Sequence, residues 1–460
     1  MGAIRFDAII IGTGQAGPAQ AARLSAAGKR VAVIERGEFG GTCVNNGCTP
    51  TKAMVASAYA AHLARHAAEY GIGVGAEVKV DMKRVKARKD EIVRRSSDGV
   101  EKWMRGLKNC TVYRGNARFV GPRTVKVGAD TLEGDHVFIN VGGRPLVPAM
   151  PGLDRVPFFT SVGMMEVDTL PEHLIVVGGS YIGLEFGQMY RRFGSRVTIV
   201  EMGPRLIGRE DPDVSQAVHD ILAGEGVNIR VNAKCVAVEP DEAGVAVRLD
   251  CSDGPPRTSG THLLLAVGRV PNTDDLGLDK AGIATDERGY ITVDEELRTN
   301  VDGVFALGDC NGRGAFTHTA YNDYEIVADN LLENAGRKVG DRIAVYGLFI
   351  DPPLGRAGMT EADAKRAGLR TLVGKRPMTR VARAVEKGET LGFMKVLVDA
   401  DSRRIIGAVI LGAGGDEVVH SLLDAMYAGL PHDAVRRGVR IHPTVSELIP
   451  TVLGELQPGR

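Results

Sequence analysis

Twice in 460 residues the chain spells a short apolar strand, a glycine turn, a helix and a second strand that ends in glutamate. The first unit reads FDAIII, GTGQAG, PAQAARLSAAG, RVAVIE and ends at Glu35. The second reads LIVVGG, SYIGLEFGQMYRRFG, RVTIVE and ends at Glu201. Strands that alternate with helices build parallel sheets with helices on their faces. The duplicated pattern therefore predicts an α/β protein with two Rossmann-like dinucleotide-binding domains. In the first unit Gly12, Gly14 and Gly17 form G-x-G-x-x-G. Those glycines let the backbone turn tightly and approach a pyrophosphate, which the helix N-terminus attracts through its unpaired N–H groups. Glu35 stands 23 residues after Gly12, where a carboxylate can accept ribose hydroxyl hydrogens. In the second unit Gly178 and Gly183 keep the outer glycine positions, Ser180 replaces the middle one, and Glu201 follows Gly178 at the same offset of 23. An acid there repels a 2′-phosphate, which points to NADH ahead of NADPH, although the nearby Arg205 leaves NADPH open.

The rest of the chain arranges itself around these units. Residues 53–110 read as long helices and 111–150 as short strands that close the first domain. Residues 203–270 complete the second, and TNVDGVFALGDC returns as a buried strand. From about residue 341 the texture changes to paired strands, a helix and IHPTVSELIPTVLGEL. The expected domains are 1–150 and 151–272, a segment 273–340 that completes the first, and a C-terminal α+β domain over 341–460. A chain this long is expected to need several cores. Lysine plus arginine equals aspartate plus glutamate, 57 each, and no charge run suggests nucleic acid or an acidic membrane as partner. The opening MGAIRFDAIIIGTG has no secretory pattern and no apolar span reaches 18 residues, so a cytoplasmic protein without a membrane span is expected.

Six cysteines are too few for a secreted disulfide framework, yet two of them, Cys43 and Cys48, share the stretch GGTCVNNGCTPTK. A redox disulfide, a zinc site and inert thiols are the alternatives. Zinc wants four ligands, usually in closer pairs, and Cys110, Cys235, Cys251 and Cys310 are scattered; no metal site is expected. Pro50 suits a helix's first turn. Residues five apart in a regular helix rise roughly 7.5 Å, too far for a comfortable disulfide. The pair therefore requires an irregular helix entry, which Gly47 permits. A thiolate near a helix N-terminus has a lowered pKa and reacts at neutral pH.

GGTCVNNGCTPTK resembles the active-site signature of the class I pyridine nucleotide–disulfide oxidoreductases. The likeness extends in order through GTGQAG, GNARFVG, NVGGRP, GGSYIGLE, VGRVPNT, TNVDGVFALGDC and HPTVSE, essentially the whole chain. The resemblance implies FAD at the first nucleotide site and NAD(P)H at the second, with electrons passing from nucleotide to flavin to disulfide to acceptor. Residues 1–150 become an FAD-binding domain, 151–272 an NAD(P)-binding domain and 341–460 a dimerisation domain. It makes Cys48 the flavin-proximal thiol and Cys43 the thiol that meets substrate. Lys52 pairs with Glu185 near the flavin, Tyr181 gates the nicotinamide pocket, and Asp309 with Gly308 meets the ribityl chain. Ala117 offers backbone to the adenine, Thr42 and Gly142 join the flavin site, and Gly268 and Arg269 line the nicotinamide-nucleotide site. Cys310 reads as a small buried hydrophobe. His442 and Glu447 become the acid/base pair, reaching the partner subunit's disulfide, so that the active unit is a homodimer.

The acceptor is less defined. Ala22 and Glu325 stand where glutathione reductases carry arginines, which counts against glutathione. TCVNNGCTPTK and the tail look most like mercuric-reductase-like proteins, but LGELQPGR has no cysteine pair to hand over a metal. The alanine-rich helix after Lys52 suggests a low-charge acceptor such as a small disulfide, with dihydrolipoamide as the alternative. A flavin-based redox sensor and a metal or quinone reductase are further readings. Single-cysteine oxidases and peroxidases are disfavoured by the two cysteines.

Overall fold

A computed structural model of the chain describes residues 2–75, 77–251 and 254–459. The expected domain limits at residues 1 and 460 lie outside the described residues. The first sheet has five parallel strands in the order Cys110–Arg114, Val31–Glu35, Ile4–Ile11, Asp130–Ile139 and Val304–Ala306. An antiparallel pair, Thr124–Val127 and Ala117–Gly121, extends from the start of Asp130–Ile139. VAVIE is buried at every position, as a strand covered on both faces must be, which is why it reads as a continuous apolar run. Register decides where the site forms. Ile11 pairs with both Ile34 and Ile139, and Ala306 pairs with Ile139. The strand ends are thus level, and Gly12, Glu35, Asn140 and Leu307 emerge together at the carboxyl edge.

The second sheet repeats this plan with parallel strands Asn228–Arg230, Arg196–Val200, His173–Val177 and His262–Leu265. Val177 pairs with Val200 and Leu265, so Gly178, Glu201 and Ala266 emerge at one edge. A three-stranded antiparallel sheet, Ala233–Asp241, Gly244–Cys251 and Arg257–Gly260, shares a core with it through Val238, Val245, Val247 and Leu265. The two modules are joined by a ribbon in which Gly143–Pro145 pairs antiparallel with Arg269–Pro271.

The C-terminal sheet is antiparallel, ordered Val345–Leu348, Leu354–Gly358, Ile405–Leu411, Phe393–Asp399, Thr371–Pro377 and Gln457–Pro458. Two cations on its strands are buried. Arg356 donates to Glu210, with Nε 3.0 Å from Oε1, and the Tyr346 hydroxyl donates to the same carboxylate. Lys395 donates to Asp211 at 3.0 Å, Asp213 at 2.8 Å and Glu361 at 2.7 Å. Buried charge is tolerated only when paired, so these contacts pin the loop around Glu210 and Asp211 to the C-terminal sheet. Helix Cys48–Arg65 packs on helix Tyr181–Phe193, with Met54, Ala58 and Leu184 in one core. Among the described residues no helix is long and apolar enough to cross a membrane.

Candidate active site

A cavity of about 980 Å³ runs along the level strand ends of the first sheet and on to the junction with the other two units. Of the residues singled out from sequence, Gly12, Gly14, Glu35, Thr42, Cys43, Cys48, Lys52, Ala117, Gly142, Tyr181, Glu185, Arg269, Gly308 and Asp309 line it. Gly17, Gly178, Gly183, Glu201, Gly268, His442 and Glu447 do not.

At the first glycine turn Gly12 has φ +101°, and a Cβ there would stand 2.4 Å from the Asn140 carbonyl oxygen. A Cβ on Gly17 would stand 2.2 Å from the Gly12 oxygen. The helix thus comes as close to the strand as a dinucleotide cradle requires. Asn140 Nδ2 donates to the Gly14 oxygen at 3.1 Å and holds the turn from the neighbouring strand. Glu35 accepts the Thr13 N–H at 2.8 Å, the Thr13 hydroxyl at 2.6 Å and the Gly37 N–H at 2.8 Å. A carboxylate has about four acceptor sites, so the glutamate ties the turn and retains capacity for a ribose hydroxyl. The second module repeats the construction. Gly178 has φ +116°, its Cβ would lie 2.4 Å from the Ala266 oxygen, and one on Gly183 would lie 2.0 Å from the Gly178 oxygen. Glu201 accepts the N–H groups of Gly179 at 2.7 Å and Gly203 at 2.6 Å. Arg205 turns its Nη2 to the Gly208 oxygen at 3.1 Å. Both cradles fit a dinucleotide.

Cys43 lies in a short helix, Gly41–Asn45, entered through Gly40 and Gly41 at φ +95° and +62°. The chain breaks at Asn46 and Gly47, and Cys48 opens the helix Cys48–Arg65. That break is the irregular entry the spacing demanded. It brings the two sulfurs within hydrogen-bonding reach, with Cys43 the donor. The bond pulls the Cys48 thiol down to about 6; burial opposes this, while the Thr317 hydroxyl at 3.1 Å and the charge of Lys52 add to it. Cys43 is pushed up, because its proton is the one shared and because it is buried.

Lys52 Nζ meets Glu185 Oε2 at 2.8 Å and stands 4.4 Å from the Phe349 ring centroid. The buried Glu185 also accepts the Phe349 N–H at 3.0 Å. Tyr181 packs on Phe316 with ring centroids 5.6 Å apart, and burial raises its hydroxyl, keeping it a neutral donor. Asp309 is raised by burial despite Arg269 Nε at 3.6 Å. Cys310 is fully buried, donates to Leu307 and Ile139 oxygens, and is pushed up to about 12 by burial, as befits a structural thiol. All six cysteines are unpaired in this structure.

His442 Nδ1 lies 2.9 Å and 3.1 Å from the two Glu447 oxygens. The glutamate side chain is 15 % exposed and the histidine 74 %, so the acid is anchored and the ring projects outward with Nε2 free of it. Val439 and Ile441 beside it are also strongly exposed. Asp211, Asp213 and Glu361 bring their carboxylates together, but Lys395 already sits among them as their counter-charge. Sequence reasoning missed Thr317, Asn140 and Phe316. Asn140 sits in NVGGRP, where a polar residue ending a buried strand was the available signal. Thr317 had none, since its partner is 269 positions away.

Residues 6–323 match the model of the pyridine nucleotide-disulphide oxidoreductase family, and residues 345–453 match that family's dimerisation domain. The probable pyridine nucleotide-disulfide oxidoreductase RclA of Escherichia coli K12 is 36 % identical over 96 % of this chain and 97 % of its own. A mercuric reductase of Streptomyces lividans is 33 % identical over 96 % of this chain and 94 % of its own, and a dihydrolipoyl dehydrogenase of Thermus scotoductus is 33 % identical over 96 % and 95 %. The structure of the Cu(II) complex of HOCl-induced flavoprotein disulfide reductase RclA from Escherichia coli superposes with a TM-score of 0.89. It is 34 % identical and covers 98 % of this chain and 99 % of that one.

Proposed function

The chain belongs to the pyridine nucleotide-disulphide oxidoreductases, enzymes that use FAD and NAD(P)H, and from that premise we propose that it carries two electrons from NADH to the Cys43–Cys48 pair and on to an acceptor at Cys43. The observation that carries this reading is the unequal thiol pair, Cys48 held near pKa 6 and Cys43 raised, in the wall of the glycine-cradled cavity. On this reading residues 1–150 with 273–340 hold FAD, 151–272 hold the nucleotide, and 341–460 make the contact of a cytoplasmic homodimer. Gly12, Gly14, Glu35, Ala117, Gly142, Gly308 and Asp309 would hold FAD. When bound, FAD supplies two-electron transfer between nicotinamide nucleotide and disulfide. Lys52, backed by Glu185, holds positive charge beside Cys48. Tyr181 closes the nicotinamide end, where Gly178, Gly183, Gly268 and Arg269 shape the nucleotide's path. Glu201, with Arg205 committed to Gly208, supports NADH.

For a disulfide acceptor the residues act in a fixed order. Cys43, deprotonated by His442 of the partner subunit, attacks one sulfur, forming a mixed disulfide and releasing a thiolate. His442 returns the proton to that thiolate. Cys48 thiolate then attacks the Cys43 sulfur, forming the internal disulfide and releasing the second thiolate, which takes its proton from solvent. A second reading makes a thiophilic metal ion the acceptor. It is favoured by the relatives, one solved as a Cu(II) complex and another a mercuric reductase. An NADH-driven screen with lipoamide, glutathione disulfide, small aromatic disulfides, quinones, Hg(II) and Cu(II) decides. Turnover that disappears in Cys43→Ser supports the proposal, and no turnover with any acceptor would leave a sensor and sink it.

A further inference from the structure

The loop after Glu201 carries three consecutive charges, Arg209, Glu210 and Asp211, and the fold treats them differently. Glu210 is buried against Arg356 and Tyr346, and Asp211 against Lys395. Arg209 is exposed, and no carboxylate among the described residues pairs with it. Its guanidinium lies 5.5 Å from the centroid of the Tyr346 ring, and Tyr346 lines the large cavity. Its charge also reaches the Tyr181 hydroxyl.

The loop is fastened to the second glycine turn. The Ile207 N–H donates to the Gly179 oxygen at 2.8 Å, and the Glu210 N–H closes a turn back to the Ile207 oxygen at 2.8 Å. Gly208 and Arg209 form the tip of that turn. Ile207 takes φ +39°, unfavourable for a β-branched residue, so the surrounding contacts impose this shape. Gly179 is packed so closely that a Cβ would stand 2.7 Å from Leu206. Two buried anions thus fix the loop on one side and the glycine turn fixes it on the other. What they present, two residues from the Gly179 contact, is a forked cation resting on an aromatic face.

We propose that Arg209 binds the diphosphate of the nicotinamide nucleotide. A guanidinium makes paired, charge-assisted bonds to phosphate oxygens that a stacking contact on Tyr346 does not match. The start of helix Tyr181–Phe193, directly after the glycine turn, supplies N–H donors from one side, and Arg209 supplies the opposing charge. The inference rests on the second module being the nucleotide site.

The test uses holoenzyme carrying Arg209→Met, which keeps length over Tyr346, and Arg209→Lys, which keeps charge without the fork. Arg209→Met is expected to lower kcat/KM about tenfold for NADH and NADPH alike, mostly through KM. Inhibition by ADP-ribose should weaken by the same factor, Arg209→Lys should fall between, and the acceptor KM should hold. An unchanged NADH KM overturns the proposal. A loss confined to NADPH assigns Arg209 to the 2′-phosphate and also overturns it, as does a loss confined to the acceptor. Glu201→Ala separates the levels. If it raises the NADH KM while Arg209→Met does not, only Arg209 is misassigned; if neither does, the nucleotide reading of the module falls.

Discussion

The thiol of Cys48 lies 3.1 Å from the hydroxyl of Thr317, and each residue is the first of a helix, Cys48–Arg65 and Thr317–Glu333. Two helix N-termini therefore direct their positive ends at one sulfur, and the threonine hydroxyl donates to it once the proton has left.

Thr317→Val removes that donor and should raise the Cys48 midpoint from about 6 by on the order of one unit. Thiolate absorbance of the reduced protein, rising with pH, reads the midpoint. Cys48 titrates near 6 folded against an ordinary 9.0, so the unfolded chain binds more protons between those values. The reduced protein should gain stability as pH rises through that window, and lose this contribution as pH falls through 6. Above it the raised Cys43 acts oppositely, because its unfolded thiol ionises first.

Cys43→Ser leaves a hydroxyl to donate to Cys48, so the thiolate should persist. The yellow holoenzyme should then show long-wavelength absorbance at neutral pH without reductant, and Cys48→Ser should show none. A band surviving in Cys48→Ser would remove that residue from the flavin side. Both variants should lose roughly 10³-fold or more in kcat.

His442 and Glu447 stand outside the cavity that holds the cysteines. Homodimers of Cys43→Ser and of His442→Ala should each be nearly inactive, and mixing them under subunit exchange should restore activity, approaching about a quarter of wild type at equal mixing, from the one intact site of each hybrid. Verified hybrids without rescue would place histidine and disulfide in one subunit.

Glu201 accepts two N–H groups beside the second glycine turn. NADH should exceed NADPH in kcat/KM by about tenfold or more, and Glu201→Ala should narrow the gap about tenfold. Steady-state kinetics with both nucleotides checks this, and a wild-type preference for NADPH would reverse the assignment.

The glycine turns, the terminal glutamates and the break at Gly47 were legible because each is a local demand of the backbone. Gly12 needs positive φ whatever surrounds it. The glutamates were read as ribose acceptors; the fold adds that each also staples its own turn, through Thr13 in one module and Gly179 in the other. What stayed hidden depends on long-range pairing. Arg356 in LGRAG reads as a surface arginine until the fold buries it against Glu210, 146 positions away. Thr317 reads as an ordinary start to a helix until Cys48 arrives beside it.

The strand Val304–Ala306 pairs with Asp130–Ile139 in the first sheet, yet the whole second sheet is encoded between them. On the ribosome, Asp130–Ile139 therefore presents an open edge while the next 165 residues or so are still being made. The nucleotide module is complete in the nascent chain before the first sheet can close, and the thiol pair acquires its partner Thr317 only after that closing strand has been translated.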